Sequence, residues 1–367
     1  MIRHKAWVDG IYRVRGQRES RLQWLRLDKN ERVGPLPDKF FRGLLRKFSN
    51  AHLTAYPETE CLYEKLAAHH GVQTSNIMLT SGSDAAIRHG FELFVNPGDE
   101  VLVLEPTFAM IDIYCSLFHA TRKAVAYDSA LRLDVDELIA HIGGRVALVV
   151  ISNPNSPTGT VISHGDMRRI VERAAAHDVP VLVDEAYYGF CPETALPLCS
   201  SFPNLIVTRT FSKSAGMAGL RIGYMIASGV LAQLLYKFRP MYEANAFGVL
   251  AAMEILNHPE VVRDYLAATE KGRKLLTAFL SSRGIGYRDT VTNFIHVDCA
   301  PRKQAALSEF AKRGILVGGG LRLPDFENYL RITLGPPQAM KQVVNVLNAI
   351  FPANRGAGTR ARRRNSK

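Results

Sequence analysis

The amino-acid sequence predicts an α/β fold with a mostly parallel sheet. Between residues 76 and 228, short apolar runs alternate with longer amphipathic stretches, and six or seven strands fit into this region. Two of the apolar runs, at 146–151 and 179–183, are continuous rather than alternating. Such runs indicate strands that helices cover on both faces, as a parallel sheet requires.

The pattern changes after Pro240, where helical spacing continues to about residue 282. Strand candidates follow at 293–297 and 329–333, so we predict a smaller α+β domain here. A chain of 367 residues is also long enough for two domains. The predicted organisation is an N-terminal arm over residues 1–45 that packs on the small domain or on a partner, a large domain over 46–240, a linker helix and small domain over 241–353, and a disordered basic tail over 354–367.

The net charge of +12 does not by itself indicate a nucleic-acid-binding protein, because six of the positive charges lie in the last fourteen residues. We therefore consider nucleic-acid binding unlikely. No apolar stretch is long enough to predict a membrane span. The N-terminus is basic but lacks the apolar segment of a secretory signal, so we expect a cytoplasmic protein.

The cysteines are scattered and contain no C-x-x-C pair, which argues against both a disulfide framework and a zinc site. We interpret them as free thiols and predict no metal site. The five are Cys61, Cys115, Cys191, Cys199 and Cys299.

Four motifs each end or follow a predicted strand, and these carry the chemistry. They are SGSD at 81–84, NPNSPTG at 153–159, DEAY at 184–187 and TFSKSAGMAGLRIG at 210–223. Ligands of open α/β sheets bind at the carboxyl ends of the strands, so we expect the four motifs to converge on one crevice.

The SGSD motif precedes a predicted helix, whose first free N–H groups form a natural phosphate cradle. For such a motif taken alone, ordinary helix capping by Ser and Asp is the simpler explanation. Asp184 ends an apolar strand, where a buried carboxylate needs a partner such as a protonated pyridine nitrogen. Tyr187 would then reach the ring hydroxyl. The alternative is again a helix cap.

Lys213 lies in a Ser-Lys-Ser turn, eight residues before Arg221. A desolvated amine near other cations forms imines readily, and the fork of an arginine suits a phosphate. A single lysine near a glycine-rich turn is usually just solvated. Neither the Walker spacing nor the dinucleotide spacing of glycines is present, which argues against a nicotinamide-dependent oxidoreductase.

Taken together, the four motifs resemble fold-type I, class I/II aminotransferases, which depend on pyridoxal 5'-phosphate, and most closely the histidinol-phosphate aminotransferase branch. The resemblance extends from LDKNE at 27–31 through YPETE at 56–60 to LRITLG at 330–335. It implies a large domain with a mostly parallel seven-stranded sheet, a smaller α+β domain and a homodimer.

The resemblance implies a role for each matching residue. Lys213 would form the imine with the cofactor and move the proton, Asp184 would contact the pyridine nitrogen, and Tyr187 would contact the ring oxygen. Arg331 would bind the anionic end of the substrate. The remaining implied contacts are Ser83, Asp84, Thr210, Ser212 and Arg221 on the phosphate, Phe108 on the ring face, and Tyr56 on the phosphate of the neighbouring subunit's cofactor.

Three departures from the family pattern concern the ring oxygen and the substrate. Ser156 stands where the family usually has an asparagine before PTG, so either Ser156 or the neighbouring Asn155 would take that contact. Gly318 stands where the histidinol-phosphate branch commonly has a second arginine, and Ala55 replaces the arginine before YPE.

We therefore expect an enzyme that moves an amino group between an amino-acid donor and a small anionic keto or amino substrate, which could be a phosphate ester such as histidinol phosphate. The alternative on the same scaffold is an amino-acid or amino-acid-phosphate decarboxylase, because the bond perpendicular to the ring is the one broken. A noncatalytic, nucleic-acid-binding role of the basic tail is a third, weaker interpretation.

Overall fold

The computed structural model describes residues 2–13, 20–321 and 323–352. The predicted basic tail, residues 354–367, therefore lies outside the described residues. The strands are β1 (Leu25–Leu27), β2 (Ile77–Thr80), β3 (Glu100–Glu105), β4 (Thr121–Ala126), β5 (Val146–Ser152), β6 (Val181–Asp184), β7 (Leu205–Thr210), β8 (Gly223–Ala227), β9 (Tyr287–Arg288), β10 (Phe294–Asp298), β11 (Ile315–Val317) and β12 (Tyr329–Thr333).

The helices alternate with these strands in the first two thirds of the chain. They are α1 (Asp38–Lys47), α2 (Ala51–Thr54), α3 (Glu60–His70), α4 (Ser83–Phe94), α5 (Ala109–Leu117), α6 (Val135–Ala140), α7 (His164–Ala175), α8 (Gly229–Tyr236), α9 (Ala246–Asn257), α10 (Pro259–Ser282), α11 (Lys303–Lys312) and α12 (Pro337–Ile350).

The large sheet has seven strands in the order β2-β8-β7-β6-β5-β3-β4. Five neighbouring strands, β7 to β4 in this order, pair in parallel, whereas β8 runs antiparallel to both of its neighbours. The strands at the centre are buried along nearly their whole length because apolar clusters pack on both faces of the sheet. The prediction of a mostly parallel seven-stranded sheet is confirmed.

The second part of the fold is built on a three-stranded antiparallel sheet in the order β12-β10-β9. Helices α10, α11 and α12 supply the apolar residues that pack on it. The two strand candidates of the sequence, at 293–297 and 329–333, correspond to β10 and β12. The smaller α+β part is therefore present as predicted.

The N-terminal residues contact both parts of the fold. Strand β1 pairs in parallel with β11. By contrast, Trp7 stacks on His119 with ring centroids 4.6 Å apart, and its Nε1 donates to the carbonyl oxygen of Leu117 at 3.1 Å. The bounds predicted for the arm and the two domains stay predictions.

Candidate active site

The predicted motifs meet at one edge of the large sheet. Asp184 at the end of β6 pairs with Ser152 at the end of β5. Thr80 at the end of β2 and Thr210 at the end of β7 both pair with Gly223, where β8 begins. The carboxyl ends of these strands therefore lie level with one another at this edge of the sheet. The loops that follow them leave the sheet side by side, as ligand sites of α/β sheets require.

Arg221 and two hydroxyl groups form one side of this crevice. Nη1 of Arg221 donates to Ser212 Oγ at 3.1 Å, and Thr210 Oγ1 lies 2.9 Å from the same oxygen. Helix α4 begins at Ser83, and its first N–H groups point out of the helix end. A guanidinium, hydroxyl groups and a helix N-terminus are together the donors that a phosphate group prefers.

Asp184 is a buried carboxylate with one unpaired oxygen atom among the described residues. The residue is only 4% exposed, and Oδ1 has no hydrogen-bond partner among the described residues. Burial raises the pKa of Asp184 to about 7, although the Ser83 side chain and the charge of Lys213 lower it. A cationic group placed against Oδ1 would therefore stabilise the ionised carboxylate.

Lys213 and Tyr187 lie together on the opposite side of the crevice. Nζ of Lys213 is 5.7 Å from the centroid of the Tyr187 ring and donates to the carbonyl oxygen of Lys29 at 3.2 Å. Tyr187 is buried, and its Oη accepts a hydrogen bond from Asn30 Nδ2 at 2.7 Å. Phe294 packs edge-on against the tyrosine ring at 5.7 Å. The amine therefore lies beside an oriented phenol.

Arg331 comes from the small sheet and also lies against Phe294, with its guanidinium carbon 5.6 Å from that ring's centroid. Nη2 donates to the carbonyl oxygen of Asp28 at 2.9 Å, and Nε is buried without a partner among the described residues. Gly318 exchanges backbone hydrogen bonds with Arg331 in both directions, at 2.9 and 3.1 Å. The arginine is thus held in place with donor capacity to spare.

Sequence reasoning missed His296, which is fully buried on β10 beside Arg331. Its Nε2 donates to the carbonyl oxygen of Pro157, in the NPNSPTG loop, at 2.8 Å. Burial, together with a smaller effect of the Arg331 charge, lowers the pKa of His296 to about 4 despite that hydrogen bond, which by itself raises it. The histidine is therefore neutral at pH 7. A histidine within the apolar run FIHV was the available signal.

Asn30 was also missed as a site residue, although it lies in the LDKNE segment. It is 3% exposed and has a positive φ of 56°. Asparagine is one of the few residues that adopt this conformation readily.

Asn155 and Ser156 differ in how their side chains are used. Nδ2 of Asn155 donates to the carbonyl oxygen of Pro106 at 2.9 Å and to Thr158 Oγ1 at 2.8 Å. Both amide hydrogens are therefore used, one to join this loop to the segment at Pro106 and one within the loop itself. Ser156 is half-buried in the same loop and lies one residue nearer to Pro157.

Asp84 and Phe108 lie at the starts of two neighbouring helices. Asp84 is the second residue of α4, and its carboxylate accepts a hydrogen bond from Tyr114 Oη at 3.0 Å. Phe108 immediately precedes α5 and packs, half-buried, against the apolar cluster on that face of the sheet. These contacts hold both helix starts at the crevice.

Tyr56, another predicted site residue, has a largely exposed side chain. It is 72% exposed, and its ring stacks on Tyr242 with centroids 3.9 Å apart and an interplanar angle of 8°. Leu53 and Met241 nearby are 71% and 76% exposed. Leu53 and Met241 belong to the two short segments that the stacked rings bring together, and we call these four exposed side chains the Tyr56 patch.

A buried histidine connects this region to the phosphate side of the crevice. His89 on α4 contacts two carboxylates, with Nδ1 2.8 Å from Glu92 Oε2 and Nε2 3.0 Å from Glu243 Oε2. The other oxygen of Glu243 accepts the backbone N–H of Ser81 at 2.8 Å. Burial lowers the pKa of His89, but the hydrogen bonds and charges of Glu243 and Glu92 outweigh it, so the pKa is raised.

The described residues contain no helix that is both long enough and apolar enough to cross a membrane. Among curated relatives, the chain is 32% identical to the histidinol-phosphate aminotransferase of Symbiobacterium thermophilum over 95% of this chain and 96% of that protein.

Two solved structures superpose on most of the chain. One is an Erwinia carotovora atroseptica protein described as a histidinol-phosphate aminotransferase, with a TM-score of 0.82 and 26% identity over 90% of this chain and 96% of that one. The other is the histidinol-phosphate aminotransferase of Sinorhizobium meliloti in complex with pyridoxal-5'-phosphate, with a TM-score of 0.79 and 25% identity over 89% of this chain and 90% of that one.

The family model for class I and II aminotransferases matches residues 24–347, which span both parts of the fold. The prediction from the four strand-end motifs is therefore confirmed at the level of the family and of fold type I. This chain belongs to the class I and II aminotransferases.

Proposed function

We propose that this chain, a pyridoxal-phosphate-dependent aminotransferase, moves an amino group between an amino-acid donor and a small anionic keto or amino substrate such as histidinol phosphate. The observation that carries the proposal is the buried Oδ1 atom of Asp184, which has no partner among the described residues. A buried, ionised carboxylate at the end of an apolar strand costs folding free energy unless a cation binds against it. The protonated ring nitrogen of the cofactor is such a cation.

The side chains around Asp184 fit the rest of the cofactor. Arg221, Ser212 and Thr210 form a hydrogen-bonded donor group for its phosphate, and the start of α4 adds backbone N–H groups. Tyr187 would donate to the ring oxygen. When bound, pyridoxal phosphate supplies an electron sink that stabilises negative charge on the substrate carbon.

Lys213 is the residue that would carry the cofactor covalently and move the proton. Its amine is the only group in these motifs that combines an imine-forming nitrogen with a position beside Tyr187. Once free, Nζ would remove a proton at the substrate's amino-bearing carbon and return it at the cofactor's carbon. The carbonyl oxygen of Lys29, 3.2 Å away, would hold the amine in reach.

Arg331 would bind the anionic end of the substrate. Its Nη2 is anchored on Asp28, while Nε is buried without a partner in the described part of the chain. An arginine with unused donors is the usual anchor of a carboxylate or phosphate. At the ring oxygen, Ser156 is a better second contact than Asn155, because both amide hydrogens of Asn155 are already used by Pro106 and Thr158.

Borohydride reduction tests the covalent role of Lys213. The reconstituted protein should be yellow, and reduction should fix the cofactor on the peptide that contains Lys213, as read by peptide mass spectrometry. The Lys213→Ala variant should bind the cofactor without becoming labelled, and exposed Lys274→Ala should label normally. A colourless wild-type protein, or label on another lysine, would refute the proposal.

Amino-group transfer is separated from decarboxylation by a panel of donors. The holo-protein is mixed with single amino acids and with histidinol phosphate while its absorbance spectrum and any released carbon dioxide are recorded. Transfer predicts loss of the visible band and formation of a stoichiometric keto or aldehyde product. Release of carbon dioxide from a substrate would favour the decarboxylase instead.

We also propose that two copies of the chain form a dimer through the Tyr56 patch, with Tyr56 reaching the partner's phosphate site. The patch exposes two aromatic rings and two long apolar side chains, and such surfaces usually mark an interface. An enzyme of this kind would work in the cytoplasm, and the five free cysteines suit that reducing compartment.

Co-expression of two inactive variants tests the shared site. If Tyr56 acts in the partner, a heterodimer of Lys213→Ala and Tyr56→Ala subunits contains one intact site and regains about half of the activity per dimer expected from two sites. If Tyr56 acts within its own chain, the heterodimer has no intact site. Analytical ultracentrifugation of the wild-type protein supplies the oligomeric state.

A further inference from the structure

Three consecutive residues, Asp28, Lys29 and Asn30, contact three different members of the candidate active site. The carbonyl oxygen of Asp28 accepts from Arg331 Nη2 at 2.9 Å, and that of Lys29 accepts from Lys213 Nζ at 3.2 Å. Nδ2 of Asn30 donates to Tyr187 Oη at 2.7 Å. One short segment therefore touches the anion-binding arginine, the amine and the phenol.

Asn30 is the residue of this segment whose side chain acts directly, and all of its polar groups are hydrogen-bonded. Its backbone N–H donates to Thr333 Oγ1 at 3.1 Å, and its Oδ1 accepts from the same hydroxyl at 3.3 Å. Its carbonyl oxygen accepts from Asn293 Nδ2 at 3.1 Å. Thr333 and Asn293 are both fully buried in the small part of the fold, so this network is rigid.

The structure places the amide oxygen of Asn30 on Thr333 and its amide nitrogen on Tyr187. The Thr333 hydroxyl has one hydrogen, and because its oxygen already accepts the backbone N–H of Asn30, that hydrogen is available for Oδ1. The amide nitrogen of Asn30 has no acceptor capacity and must donate to Tyr187 Oη. The hydrogen of the Tyr187 phenol is consequently free to point into the crevice.

We propose that Asn30 is a positioning residue that makes Tyr187 a hydrogen-bond donor toward the cofactor's ring oxygen and links it, through Thr333, to the strand that carries Arg331. The inference deepens the proposed function and rests on it. Thr333 lies two residues after Arg331 on β12, so both side chains leave the same face of that strand. A substrate anion that draws Arg331 away from the carbonyl oxygen of Asp28 would therefore disturb the same segment that orients Tyr187.

The pH midpoint of the visible absorption band of the holo-protein reports the Tyr187 hydrogen bond. A hydrogen-bond donor to the ring oxygen stabilises negative charge on that oxygen. The proton that would be shared between this oxygen and Lys213 Nζ is then bound less tightly, so loss of the donor raises the pH midpoint. Asn30→Asp keeps the size and the positive φ but can only accept, so Tyr187 would donate to it instead. We expect the midpoint to rise by about one unit, a tenfold change in proton affinity.

Further variants separate this role from a merely structural one. Asn30→Gly also tolerates the positive φ, and it removes the hydrogen bond that orients the Tyr187 phenol without offering that phenol an acceptor. It should therefore raise the midpoint less than Asn30→Asp does, and it should have no further effect in a Tyr187→Phe background. Thr333→Val should shift the midpoint in the same direction, and Thr333→Ser should restore it. Asn257→Asp, which adds the same charge at an exposed position, is the matched control and should leave the midpoint unchanged.

The link to Arg331 is tested with succinate as the anion. Succinate should shift the midpoint of the wild-type protein, and this shift should be smaller in Asn30→Gly, because the segment no longer connects the two groups. Midpoints of Asn30→Asp and Asn30→Gly within about 0.2 unit of the wild type would overturn the inference. If the midpoints do not move but the wild-type protein is yellow, only the role of Asn30 is refuted and the proposed function is unaffected. A colourless wild-type protein would refute both the role of Asn30 and the proposed function.

Discussion

The guanidinium of Arg221 crosses directly over the backbone of Gly82, so that a Cβ atom at Gly82 would lie 2.5 Å from Arg221 Nη2. Gly82 also has a φ of 80°, which side-chain-bearing residues rarely adopt. The bare backbone before α4 therefore lets the arginine lie across the helix start. Two donors for one phosphate, the guanidinium and the first N–H groups of α4, depend on the absence of this Cβ atom.

Gly82→Ala should weaken binding of pyridoxal phosphate because the methyl group displaces Arg221 and strains the backbone. A loss of about 1 to 3 kcal/mol corresponds to roughly a five- to 150-fold rise in Kd. Gly98→Ala is the matched control, because Gly98 has a φ of 93° but open space around its Cβ position. Fluorescence titration of both apoproteins should show weaker binding only for Gly82→Ala, and equal Kd values would contradict this account.

Asp184→Asn should stabilise the apoprotein at pH 8 while weakening cofactor binding. The folded protein keeps the Asp184 proton up to a pKa of about 7, whereas the unfolded chain loses it near the ordinary carboxyl pKa of 3.8. Between these values the folded state binds more protons, so the free energy of unfolding falls as pH rises. Asparagine removes this loss, and we expect a gain of about 1 to 3 kcal/mol at pH 8, since water entering the crevice relieves part of the burial cost.

Urea unfolding of wild-type and Asp184→Asn apoproteins between pH 4 and 8 measures the difference. The advantage of the variant should be smallest near pH 4 and grow toward pH 8. Asp178→Asn, an exposed aspartate just before β6, should show no such growth. A pH-independent difference would mean that Asp184 is ionised in the folded apoprotein.

The convergence of the strand-end motifs was predictable because the geometry of a parallel sheet dictates it. DEAY and SKS follow neighbouring strands, so their side chains meet once the strands pair in parallel. The contact of Asn30 with Tyr187 was not predictable in this way, because 157 residues separate the two and no periodic pattern links them. It depends on β1 pairing with β11, two strands of only three residues each.

The environment of Tyr56 could not be predicted from the sequence for a different reason. The motif YPETE identifies the residue. In the proposed dimer, however, the crevice that Tyr56 would reach belongs to the partner subunit, so a single chain does not show the two together. Its partner in this fold is Tyr242, from the segment before α9, and an aromatic residue there carries no signal of its own. A residue that acts in another subunit, as proposed for Tyr56, is visible in a single chain only as exposed apolar surface.

Arg331→Gln should raise the KM for anionic substrates by about 30- to 1,000-fold, because a charged hydrogen bond is worth roughly 2 to 4 kcal/mol. Arg331→Lys should recover only part of this, since an ammonium lacks the planar fork. Exposed Arg313→Gln on the small part of the fold is the control and should behave as wild type. Steady-state kinetics should show the KM effect with the cofactor spectrum unchanged, and a variant whose defect lies only in cofactor binding would argue against an anion-binding role.

His89→Gln should destabilise the protein most at low pH. Because the pKa of His89 is raised in the folded state, its pairing with Glu92 and Glu243 contributes fully below the unfolded value of about 6.5 and is lost as pH rises through the folded pKa. We expect a loss of about 2 kcal/mol at pH 5.5, since a buried carboxylate would lose its cation, and a smaller loss at pH 9.5. Exposed His164→Gln provides the comparison in urea unfolding.

Glu243 also accepts the Ser81 N–H at the phosphate side, so Kd for pyridoxal phosphate should rise in parallel with the loss of stability of His89→Gln. A destabilisation that is equal at both pH values would mean that His89 acts by packing alone.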